Sequence, residues 1–165
     1  MRTSSGWKAI WLAVLCYPAV SWADREQPPP TYFVRAASFV GIGSILSVEV
    51  RDDEMQCAWI ALDEVLRGEA ARRRIHACCH GPRQCRYELG CGPSLTSGGQ
   101  VVIFARGLNG EEVELLDPRL GLVQGSNWPR RWQVFGSYEQ FVSALRTVVE
   151  FMDESKPERE RLAPA

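Results

Sequence analysis

The chain lacks most of the signatures by which a sequence announces its chemistry. It has two histidines in 165 residues. It contains no G-x-S-x-G, and so no nucleophile elbow, and no H-E-x-x-H, and so no helix-borne zinc pair. None of its cysteines falls in C-x-x-C spacing. That excludes the knuckle that fixes adjacent ligands on one ion, and the C-x-x-C-H attachment of a covalent haem. There is no internal repeat, and no apolar run after Ala23 is long enough to span a bilayer. The formal net charge of −1 leaves no bulk positive field for a strongly basic nucleic-acid binder. With 45% hydrophobic and 24% charged residues, wholesale disorder and collagen-like repeats are also excluded.

What is present begins with the N-terminus. Arg2 and Lys8 are its only charges, residues 9–20 are uncharged and largely apolar, and Ser21-Trp22-Ala23 ends the run with small residues flanking a tryptophan. This is the layout of a secretory signal peptide over residues 1–23, cleaved after Ala23. Leu15 before Cys16 does not suit lipid attachment. Residues 24–30 end in three prolines and read as an extended linker. Residues 31–152 hold the compact domain, and the charged residues 153–165 read as a disordered tail. The expected location is periplasmic or secreted.

Within the compact part, period-two patterning dominates. Val40, Ile42, Leu46, Val48 and Val50 share one parity, as on a half-buried strand. Residues 57–66 favour a strand over a helix, because the helical alternative would place Asp63, Glu64 and Arg67 on its apolar stripe. Residues 72–79 suit a third strand, 101–105 a short buried one, and Asn109-Gly110 a hairpin turn into a strand over 111–116. Short pairings are expected at Leu122-Val123 and over 132–135. Then the period changes. Ser137 and Gln140 form a capping box, followed by an apolar stripe of Tyr138, Phe141, Val142, Leu145, Val148, Val149 and Met152. The predicted fold is all-β with one C-terminal helix, an OB-like, partly open five-stranded barrel; a helix over 57–67 would make it α+β.

The first strand (Val40-Gly41-Ile42-Gly43-Ser44-Ile45), the strand end Leu66-Arg67-Gly68, the loop Cys91-Gly92-Pro93 and the turn Ser97-Gly98-Gly99-Gln100 into Val101–Phe104 follow in order. Together they resemble secreted bacterial relatives of the netrin-like, tissue-inhibitor-of-metalloproteinase domain. The resemblance implies an OB-type barrel with a C-terminal helix. Those inhibitors act through a cysteine at the mature N-terminus. Here the mature chain begins Asp24-Arg25-Glu26, so no inhibitory residue carries over.

After cleavage five cysteines remain as disulfide candidates: Cys57, Cys78, Cys79, Cys85 and Cys91. One is left over, and it is expected among Cys57, Cys78 and Cys79. Vicinal Cys78 and Cys79 point to opposite faces of a strand. The loop over 80–100 has few large apolar residues, so Cys85 and Cys91 are expected to be oxidised and to tie it down. The alternative use of this region is metal binding by His76, Cys78, Cys79, His80, Cys85 and Cys91, since thiolate and imidazole suit zinc or copper. Arg67, Arg72, Arg73, Arg74, Arg83 and Arg86 make a basic stretch beside Tyr87, and Trp128, Arg130, Arg131 and Trp132 combine aromatics with cations as a possible binding surface. No catalytic residue and no cofactor is assigned. The functional expectation is a secreted, non-enzymatic binding module of the bacterial cell envelope. Its partner would be an envelope protein, an anionic glycan or a lipid headgroup, with no nucleic acid and no transmembrane segment. The alternative is a periplasmic metal-binding or thiol-redox protein.

Overall fold

The computed structural model describes residues 28–51, 55–81, 94–125 and 130–154. A short helix α1 (Pro30–Ala36) leads into β1 (Phe39–Val50), β2 (Met55–Arg67), β3 (Arg74–His80), β4 (Gln100–Asn109), β5 (Glu112–Leu115) and β6 (Leu122–Gln124). A 3-10 helix (Arg130–Phe135) and the long helix α2 (Tyr138–Glu154) follow. The strands run in the order β1-β2-β3-β5-β4-β6, and a second pairing of β1 with β4 closes the first five into a barrel. All pairs are antiparallel except β3 with β5, whose seam holds only His76↔Glu112 and Ala77↔Val113. This is the OB-like barrel with a C-terminal helix that the periodicity predicts. Residues 57–67 are strand, not helix.

The chain builds two apolar clusters, one on each side of the β1–β4 wall. Inside the barrel lie Phe39, Ile45, Ala58, Ile60, Leu62, Ile75, Ala77, Cys79, Val101, Ile103 and Ala105, mostly aliphatic. Outside it, Val40, Ile42, Val102 and Phe104 meet Phe33, Val34, Trp132, Phe135, Phe141, Val142, Leu145 and Val149 from the helices. Residues 101–105 are therefore buried on both faces, which is why they read as one continuous apolar run. The stripe of α2 docks on this wall, and its capping box forms as expected. The Ser137 N–H donates to Gln140 Oε1 and the Gln140 N–H to Ser137 Oγ, each at 3.2 Å.

Four details differ from the sequence expectation. The parity of β1 does not hold: Val40 and Ile42 face out of the barrel while Phe39 and Ile45 face in, and a bulge between Ile45 and Ser47 then turns Val48 inward and leaves Leu46 52% and Val50 67% exposed. Gly43 lies in the bent part of this strand because an added Cβ would sit 2.4 Å from the Ala61 carbonyl oxygen. Residues 132–135 belong to a 3-10 helix rather than a strand. Pro30 starts α1 instead of ending a linker; proline suits the first helical position, where its missing N–H costs nothing. Finally, α2 runs two residues past Met152, where Asp153 accepts from the Arg67 guanidinium at 2.7 Å.

Candidate functional site

Alternation along β2 and β3 sorts their side chains onto two faces. Ala58, Ile60, Leu62, Ile75, Ala77 and Cys79 fill the barrel. Cys57, Trp59 and Ala61 on β2 face outward, opposite Cys78, His76 and Arg74 on β3. Two of these cross-strand pairs make a specific contact, and Arg74 reaches diagonally to the indole of Trp59. Cys57 and Cys78 form a disulfide, with Cα atoms 4.0 Å apart. The Trp59 and His76 rings lie 4.8 Å apart, and the Arg74 guanidinium sits 4.3 Å over Trp59. The indole thus contacts both an imidazole and a cation, and it remains half-buried rather than lost to the core.

On the other side of β3, His76 is aligned with Glu112 of β5 and its Nδ1 lies 3.0 Å from both carboxylate oxygens. An ionised carboxylate can only accept, so Nδ1 carries the proton and Nε2 is left unprotonated in the neutral ring. Arg72 pairs with Glu111 at 2.5 Å, whereas Arg73 and Arg74 have no acidic partner among the described residues. The wall therefore carries exposed positive charge beside an aromatic face.

Of the disulfide candidates, Cys57 and Cys78 are joined and Cys79 is a free thiol inside the barrel. Burial pushes the Cys79 thiol up to about 12, so it is neither a nucleophile nor a ready ligand. Cys85 and Cys91 lie outside the described residues. Of the alternative metal set, His76 and Cys78 come together, Cys79 faces away from them, and His80 sits at the end of β3 with its N–H donating to the Pro118 carbonyl. The structure supplies Cys57 in their place: the ligand atoms of Cys57, His76 and Cys78 all lie within 4.8 Å of one another.

The tryptophan–arginine segment fares differently. Trp132 is not at a surface: it is fully buried among Phe33, Phe104 and Phe141, and its indole N–H donates to the Pro28 carbonyl at 3.1 Å. Trp128 and the side chains of Arg130 and Arg131 lie outside the described residues. In the basic stretch, Arg67 is half-buried and structural, donating to the Val34 carbonyl as well as to Asp153, and Arg83, Arg86 and Tyr87 lie outside the described residues.

Sequence reasoning missed Trp59 and three polar residues that matter. Glu112 was visible only as one of several acids, because its partner is 36 residues away. Gln56 and Gln124 are buried amides that clamp the end of the long loop. Gln56 Oε1 accepts from the Leu95 N–H at 3.1 Å, Gln124 Oε1 from the Thr96 N–H at 3.0 Å, and Gln124 Nε2 donates to the Thr96 carbonyl at 2.8 Å. The available signal was a polar residue at an inward strand parity, with no local partner to account for it.

No family model matches the chain, and no curated protein shows significant similarity to it. Among the described residues, no helix is long and apolar enough to cross a membrane.

Proposed function

We propose that this chain is a secreted, non-enzymatic binding module of the bacterial cell envelope, and that it engages an anionic glycan on the outer wall of β2 and β3. The observation that carries the reading is the half-buried Trp59, which contacts both the His76 ring and the exposed Arg74 guanidinium. A partly exposed indole offers a flat apolar face to a sugar ring, and guanidinium groups recognise carboxylate or sulfate by paired N–H donors. In OB-type barrels the face formed by the second and third strands is a common ligand surface, including for oligosaccharides. The cross-strand disulfide holds that face in register. Within this reading the chain is a distant relative of the netrin-like domains, supported by the barrel and its C-terminal helix. Export through the N-terminal leader places it where such glycans occur.

The test uses the oxidised mature chain and a fluorescently labelled, sulfated oligosaccharide in an anisotropy titration. Salt-dependent binding is expected, weakened at least tenfold by Trp59→Ala and by Arg74→Ala, and unaffected by Phe151→Ala on the distant helix. Binding that survives both wall substitutions would contradict the proposal. So would a preference for anionic phospholipid vesicles over the oligosaccharide.

A further inference from the structure

The same wall carries a second chemistry that the glycan reading does not use. Cys57 is fully buried, His76 is 5% exposed and Cys78 is half-buried, and one ligand atom from each lies within 4.8 Å of the others. Two sulfurs and an imidazole nitrogen are the donor set preferred by thiophilic cations. The imidazole is also arranged as such a ligand would be. Glu112 holds the Nδ1 proton at 3.0 Å, which fixes the tautomer and leaves Nε2 as the lone-pair nitrogen. A carboxylate behind a histidine is the usual outer support of a metal-binding imidazole.

We propose that reduction of the Cys57–Cys78 disulfide converts this cluster into a binding site for one thiophilic d10 cation, Zn(II) or Cu(I), held by Cys57, Cys78 and His76. In the oxidised protein the two sulfurs are bonded to each other and offer no thiolate, so the site exists only in the reduced form. The balance is simple. A dithiol delivers two electrons and two protons to the disulfide and is itself oxidised to a disulfide. The two resulting thiols then lose their protons to solvent as the cation binds. The sulfurs must move apart to about 3.7 Å to share one ion at ordinary metal–sulfur distances, a motion of side chains on fixed strands. Three protein donors complete a trigonal Cu(I) site, while Zn(II) would keep a water in its fourth position. Cys79, adjacent in sequence, cannot join, because its sulfur is inside the barrel.

The experiment starts from the mature chain carrying Cys85→Ser and Cys91→Ser, so that no loop thiol competes. Reduced anaerobically with a dithiol and then desalted, it is titrated with Zn(II) and, separately, with Cu(I) against a chromophoric chelator. The reduced protein should bind one equivalent of at least one of these ions, and the oxidised protein none. Co(II) should give a thiolate charge-transfer band. Cys57→Ser and Cys78→Ser should each weaken binding at least 100-fold, and Glu112→Gln by about 10–100-fold. Folding of the serine variants is judged by circular dichroism against the reduced parent, which lacks the same bond. Binding of neither ion at one equivalent would overturn the proposal. Undiminished affinity in Cys57→Ser or Cys78→Ser would also overturn it.

Discussion

The two walls of the barrel solve the same problem in different ways. The wall built from β1 and β4 presents Val40, Ile42, Val102 and Phe104 outward and covers them with Phe33, Trp132, Phe141 and the apolar stripe of α2. The wall built from β2 and β3 presents Cys57, Trp59, Arg74, His76 and Cys78, and ties its strands together with a covalent bond and stacked rings. One wall is stabilised by removing apolar area from water; the other is tied by a cross-link and keeps a half-buried indole beside an exposed cation. A barrel of this size needs the first kind of wall to tolerate the second. Residues that could recognise a ligand are concentrated where hydrophobic packing is not doing the holding.

Substitutions separate the two walls most sharply where the same residue type serves on both. Trp132→Ala empties the centre of the aromatic cluster and should cost about 3–5 kcal/mol, read as loss of the native state or a large drop in denaturation midpoint. Trp59→Ala on the other wall should cost only about 1 kcal/mol, mostly its stacking with Arg74 and His76. Comparable losses at the two positions would break the contrast.

Removing the disulfide comes next in size. Cys57 and Cys78 are separated by 21 positions, and a cross-link closing a loop of that length typically contributes about 3 kcal/mol. Reduction, or the Cys57→Ala/Cys78→Ala double variant, should lower Tm by roughly 10 °C while far-UV circular dichroism keeps its native shape. A collapse of the β signal would mean that the β2–β3 wall depends on the bond for its existence, not only for its margin.

The alkaline limb of stability sharpens the picture of the barrel interior. Burial raises the Cys79 thiol from 9.0 to about 12, so the folded state holds that proton more tightly than the unfolded state. Its contribution is complete below pH 9.0 and is lost as pH rises towards 12. Buried Tyr138, raised by the same desolvation, adds to the slope. Chemical denaturation across this range should show stability falling with pH, with a shallower fall in Cys79→Ala. The Cys79 thiol should also resist alkylation until the protein unfolds.

Much of this was legible along the chain. The covered wall appeared as a continuous apolar run at Val101–Phe104, α2 as a change of period with a capping box, and the opposed directions of Cys78 and Cys79 as simple strand parity. What escaped has a common physical cause. α1 spans only seven residues, too few to show a period, and its helicity rests on Phe33 and Val34 docking into a cluster assembled from distant segments. The β1 bulge shifts parity by one residue without any compositional mark beyond the glycines. The exposure assigned to Trp132 failed because a tryptophan beside arginines reads as surface, while its real partners lie on α1, β4 and α2. The candidate site shows the same limit. His76 and Cys78 stood out by type, but their partners Cys57, Trp59 and Glu112 are supplied by register across β2, β3 and β5.

The central claim is that the β2–β3 wall is the working face and the helix-covered wall its support. Chemical-shift mapping of 15N-labelled residues 24–165 during titration with the sulfated oligosaccharide tests it most directly. The account predicts that the Trp59 indole and the backbone amides of residues 57–61 and 74–78 move together, while the Trp132 indole and the amides of α2 stay in place. Shifts concentrated on α2 and Trp132, with the Trp59 indole unmoved, would contradict it.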